Sequence, residues 1–83
     1  MHIAGVLVHT RPEWIENVHA KLLAIDGLEL HATNPDGRMV VTIESDDRNK
    51  VAETLYRINT AENVLSASLV YEQSESENTE AST

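Results

Sequence analysis

Cysteine and phenylalanine are absent from this 83-residue sequence, which has one tryptophan, two tyrosines, three glycines and two prolines. Without cysteine there are no disulfides, no CxxC redox chemistry and no thiolate metal site. A chain of this kind suits a reducing compartment. Without phenylalanine, the core of a one-domain protein has to be built from Val, Leu, Ile and Ala. Basic residues are scarce too: six Lys and Arg stand against 14 Asp and Glu, a net charge of −8. Binding a phosphate backbone needs clustered Lys and Arg, so nucleic acid is not an expected partner. No apolar run approaches the roughly 20 residues of a membrane span. The opening Met1-His2-Ile3-Ala4-Gly5-Val6-Leu7-Val8 has no basic region ahead of its short apolar stretch, unlike a secretory signal. The expectation is a soluble, cytoplasmic protein without stable membrane insertion.

The residues that are present fall into alternating periods. His2 to His9 reads as a strand, and Thr10-Arg11-Pro12-Glu13 has the S/T-x-x-E form of a capping box. Ile15, Val18, Leu22 and Ile25 then recur at helical spacing, until Asp26-Gly27 stops the helix. Leu28 to Thr33 alternates apolar and polar as a half-buried strand does. Asn34-Pro35-Asp36-Gly37 is a turn signal that folds Arg38 to Glu44 back as a hairpin. Ser45-Asp46-Asp47 supplies N-cap residues for a second helix carrying Val51, Leu55 and Ile58 on one stripe, with Ala52 beside them. Val64 to Tyr71 reads as the fourth strand. The domain is expected to span residues 1–72, with residues 73–83 a disordered acidic tail; from Glu72 onward the chain is rich in Glu, Ser and Thr and has no base.

The order β-α-β-β-α-β, with right-handed crossovers, places both helices on one side of an antiparallel sheet. This is the α+β, ferredoxin-like double split βαβ arrangement, with the first and third strands central. Period-two alternation then assigns the faces. Ala4, Val6, Val8, Leu28, Leu30, Ala32, Met39, Val41, Ile43, Leu65, Ala67, Leu69 and Tyr71 are expected to point toward the helices. Ile3, Gly5, Leu7 and His9 point away, as do Glu29, His31, Thr33, Arg38, Val40, Thr42, Glu44, Val64, Ser66, Ser68 and Val70. On that helix-free face, Gly5, Ser66 and Ser68 are expected to form a shallow depression, with Ile3, Leu7, Val40 and Val70 around it. His9 shares the face, and Glu29, Thr42 and Glu44 form a polar and acidic rim. An exposed apolar patch on so small a domain favours a binding site or an oligomer contact.

No catalytic constellation accompanies this surface. His2, His9, His19 and His31 are scattered without metal-ligand spacing, no serine sits in a nucleophile elbow, and no glycine-rich loop is placed to cradle phosphate. Neither an enzyme nor a cofactor is expected. An RNA-recognition module needs aromatics on the central strands, which are missing here. A dimeric small-ligand regulatory domain of the amino-acid-sensing type stays open on the residues alone.

Three segments resemble the NapD family: Gly27-Leu28-Glu29-Leu30-His31-Ala32, Asp36-Gly37-Arg38-Met39-Val40-Val41-Thr42-Ile43-Glu44 and Val64-Leu65-Ser66-Ala67-Ser68-Leu69-Val70-Tyr71. The resemblance covers roughly residues 3 to 73. Two positions depart from the family pattern: Asn63, where glycine often precedes the last strand, and Glu72, where histidine often follows the tyrosine. Members of that family are small cytoplasmic assembly chaperones for the catalytic subunit of periplasmic nitrate reductase. The resemblance implies binding of the precursor's twin-arginine (Tat) signal peptide, delaying export until cofactor insertion and folding are complete. The expected state is a monomer with at most weak self-association. Ile3, Gly5, Leu7, His9, Glu29, Val40, Thr42, Glu44, Ser66, Ser68 and Val70 are the candidate peptide-binding residues.

Overall fold

In the computed structural model, residues 1–74 are described. They form β1 (His2–Thr10), a 3₁₀ turn (Pro12–Trp14), α1 (Ile15–Leu23), β2 (Leu28–Thr33), β3 (Arg38–Ser45), α2 (Arg48–Thr60) and β4 (Val64–Ser74). The four strands make one antiparallel sheet in the order β2-β3-β1-β4. This is the ferredoxin-like arrangement, with β1 and β3 inside and β2 and β4 at the edges. Ala4, Val6 and Val8 of β1 join Met39, Val41 and Ile43 of β3 in one buried cluster with Val18 and Leu22 of α1 and Val51 and Ile58 of α2. Both helices therefore cover the same side of the sheet. Each fully buried aliphatic side chain contributes roughly 1.5–3 kcal/mol relative to exposure.

The β2–β3 hairpin closes as its turn residues require. Gly37 has φ +103°, and its carbonyl accepts a bond from Thr10 N at 2.8 Å. Gly27 also takes a positive φ, +81°, and receives the Glu44 amide on its carbonyl at 2.8 Å. Asp47 caps α2, its carboxylate accepting from Asn49 N at 2.9 Å. Asn63, before β4, is the one described non-glycine residue with positive φ, at 75°. Asparagine tolerates this left-handed conformation better than most residues, which suits it to the turn into β4.

The capping box at Thr10 does not form. Thr10 stays in β1 opposite Val64, fully buried, and its hydroxyl donates to the Asn63 carbonyl at 2.5 Å. Arg11 takes the N-cap position with no side-chain cap bond, and Glu13 pairs with Arg11 at 3.1 Å instead. Two tertiary partners for Thr10 outweigh one local cap.

Three one-residue irregularities alter the expected faces. In β4 the register against β1 shifts between His9 and Thr10 and between Gly5 and Val6, leaving Leu65 and Val70 as unpaired extra residues. Between Leu30 and Ala32, β2 has a third shift, with His31 the extra residue. Such bulges move every later side chain to the other face. Tyr71, expected inward, pairs with Gly5 on the helix-free face, and Ala32, also expected inward, lies there opposite Val40. Thr33, expected outward, pairs with Met39 on the helix side, where its hydroxyl bonds His19 Nε2 of α1 at 2.8 Å. Val64, expected outward, packs against the core, while Leu65, expected inward, is 55% exposed. β4 also continues past Tyr71 to Ser74. The rest of the expected acidic tail, residues 75–83, lies outside the described residues.

Candidate functional site

On the helix-free face, the strand registers arrange the side chains in rows. Gln73, Ile3 and Glu44 form the first row, and Tyr71, Gly5, Thr42 and Glu29 the second. Ser68, Leu7, Val40 and Ala32 form the third, and Ser66, His9 and Arg38 the fourth. Val70, set out by its bulge, adds an apolar side chain between the second and third rows. The candidate residues of β1 and β3 share one face because these strands alternate without interruption from Ile3 to His9 and from Arg38 to Glu44; Glu29, Ser66 and Ser68 join it through their partners Thr42, His9 and Leu7, and Val70 lines the same hollow as Leu7 and Val40.

The expected depression at Gly5 is not open. A Cβ built on Gly5 would lie 2.1 Å from Tyr71 Cε1, so the tyrosine ring already rests on the glycine. Gly5 is the seat of an aromatic side chain. Beside that ring is a hollow of about 190 Å³ lined by Gly5, Leu7, Val40, Thr42, Val70 and Tyr71 among others. A second hollow of about 210 Å³ continues past Leu7 and Val40 to Ala32 and Arg38. Together they make an apolar stripe along β1. Val70 and Tyr71 stand at its margin, 66% and 47% exposed. Tyr71 and Ala32 are the members that alternation alone missed. The bulges that turn them outward are set by the partner strand's register and have no signature in β2 or β4 alone.

Charge is distributed unevenly along the stripe. Glu29 and Glu44 stand exposed at one end. His31 Nε2 lies 3.7 Å from Glu29 and bonds the Thr42 hydroxyl at 2.7 Å, which fixes the rim of β2 against β3. At the other end Arg38 is engaged by Asp36, with Nη2 at 2.8 Å and Nε at 2.9 Å from the carboxylate. The Arg38 side-chain bond, together with its amide and the charges of Arg38 and His9, holds the Asp36 carboxyl below its ordinary pKa. That end is close to neutral, and the Glu29/Glu44 end is negative.

The two sheet edges differ from the face. β2 and β4 both carry bulges, and Asn59 of α2 occupies the middle of the β4 edge. Its amide donates to the Ala67 carbonyl and its Oδ1 accepts from the Ala67 N–H, both at 3.1 Å. Asn59 takes the place of a neighbouring strand there.

Among the described residues no cluster of three His, Cys, Asp or Glu side chains is placed to hold a metal ion. No described helix is long and apolar enough to cross a membrane.

Relatives of this chain are known. The chaperone NapD of Escherichia coli K12 is 29% identical over 79 residues, covering 94% of this chain and 91% of the relative. The chaperone NapD of Haemophilus influenzae is 27% identical over 78 residues, covering 93% and 84%. The solution structure of the E. coli Tat proofreading chaperone protein NapD superposes with a TM-score of 0.79 at 29% identity, covering 90% of this chain and 80% of that one. Its fold is the one described above, and the relatives are named as chaperones, not as enzymes. Residues 1–76 match the family described as NapD protein, and the chain belongs to that family of chaperones.

Proposed function

We propose that this chaperone binds the twin-arginine signal peptide of the periplasmic nitrate reductase catalytic subunit. It does so in the cytoplasm, as a monomer, and delays export until that precursor is folded and loaded with its cofactor. The observation that carries this reading is an exposed apolar stripe with an acidic end on a face that no described helix covers. A twin-arginine signal is basic at one end and apolar beyond, so the two surfaces are complementary. Burial of Leu7, Val40, Val70 and Tyr71 under the peptide holds it, while Glu29 and Glu44 attract its arginines and speed the encounter. The description of the solved relative as a Tat proofreading chaperone supports the same class of partner.

The peptide lies as a helix on the face. An extended peptide added to an edge is disfavoured, because bulges break the regular ladder of both edge strands and Asn59 already takes the Ala67 backbone groups. The same features oppose pairing of two copies through their edges.

Isothermal titration with a synthetic twin-arginine signal peptide tests this reading. One-to-one binding is expected, weakened about tenfold or more when both arginines are replaced by alanine. No heat at several temperatures, in protein shown to be folded, would overturn it.

A further inference from the structure

The helix-free face is asymmetric from end to end, and this asymmetry selects a direction. Resting on the peptide-binding reading above, we infer that the signal peptide lies along β1 in one orientation only. Its arginine-bearing N-terminal end sits over Glu44 and Glu29, and its apolar run passes over Tyr71, Leu7 and Val40 toward His9 and Arg38.

Two observations carry the inference. The first is the course of the apolar stripe. Ile3, the Tyr71 ring seated on Gly5, and Leu7 follow one another along β1, so a helix covering them runs with the strand and not across it. The length is suitable: the seven residues of β3 from Arg38 to Glu44 span about 20 Å, which matches about 13 residues of helix.

The second is the charge along that stripe. Glu44 stands in the first row and Glu29 in the second, whereas Arg38 in the fourth row is neutralised by Asp36. A cationic peptide end is attracted to the first end and finds no counter-charge at the second. The dipole of a bound helix acts in the same sense, since its positive N-terminus would face the glutamates.

Paramagnetic labelling reads the direction. Two synthetic twin-arginine signal peptides carry a nitroxide, one beside the arginines and one at the C-terminal end of the apolar run. Each is added to ¹⁵N-labelled protein. The label beside the arginines is expected to erase most amide intensity at Ile3, Thr42 and Glu44 while sparing His9, Arg38 and Ser66. The C-terminal label is expected to give the converse pattern. Exchange of the two patterns, or equal losses at both ends from either label, overturns the single direction and leaves the binding reading standing. Losses confined to the helices or sheet edges, or no binding of either peptide by titration, overturn the face-binding reading and the direction with it.

Discussion

Replacing Asn59 by alanine tests whether one side chain guards the β4 edge. In the folded protein, the Asn59 amide bonds both the N–H and the C=O of Ala67, each at 3.1 Å, and also donates to the Leu55 carbonyl at 3.3 Å. Net contributions of about 0.5–1.5 kcal/mol per hydrogen bond apply. Asn59 is exposed, so water replaces the lost partners and the low end of that range holds. The pair of bonds to Ala67 is therefore worth about 1–2 kcal/mol. Alanine recovers about 0.5 kcal/mol through better helix propensity near the end of α2. The net loss of about 1 kcal/mol lowers the melting temperature by about 4–8 °C in a domain of this size. Hydrogen exchange makes the test specific: the Ala67 amide is expected to lose protection in the variant while the Val6 and Val41 amides lose only what the global destabilisation dictates. Sedimentation should also show stronger self-association, since an uncovered edge can pair with another copy. An unchanged Ala67 exchange rate together with an unchanged melting temperature would refute the reasoning.

Other outcomes follow from the same geometry. Gly5→Ala drives a methyl into the Tyr71 ring and is expected to cost about 1–3 kcal/mol by thermal denaturation; adding Tyr71→Ala should restore part of that loss. Leu7→Glu leaves the domain folded but weakens twin-arginine peptide binding by about tenfold or more, read by titration; unchanged affinity would rule out the sheet face. Asp36→Asn probes the depressed carboxyl. Because the folded pKa lies below the unfolded one, its stabilisation is present above the unfolded value of about 3.9 and is lost as pH falls through the folded value. The variant should therefore melt below the parent at pH 7 and together with it at the acid limit. Thr10→Val removes the hydroxyl that meets the Asn63 carbonyl and should destabilise the domain by about 1–2 kcal/mol, measured in urea.

Much of this architecture is legible before the structure is seen, because the signals are local. Alternation in β1 and β3 places Ala4, Val6, Val8, Met39, Val41 and Ile43 in the core, and the turn residues Asn34 to Gly37 and the cap Asp47 stand where their chemistry predicts. The illegible features are decided by a partner distant in sequence. Val70 becomes an extra residue only because Val6 pairs with Leu69 and Gly5 with Tyr71, and His31 only through the register with Val40 and Val41. Thr10 reads locally as a cap and is claimed by Asn63 and Gly37, which approach through tertiary structure. The candidate face was thus readable along its two central strands and misread at its margins, where Tyr71 and Ala32, both expected in the core, turn outward and Tyr71 fills an expected void.

The pairing of β1 with β4 sets when this face can exist. His2 is matched with Ser74, and the His2 ring bonds the Ser74 hydroxyl at 2.7 Å, so the first strand waits for the last before its outer partner is in place. Closing so long a loop carries a chain-entropy cost that local contacts do not share, and it belongs to the slow part of folding. On the ribosome, β1, α1, β2 and β3 emerge well before Val70 and Tyr71. A nascent chain halted after α2 has neither the ring on Gly5 nor the apolar margin at Val70. The surface is completed only once β4 is in place, so a partly synthesised chain lacks the face proposed here for peptide binding.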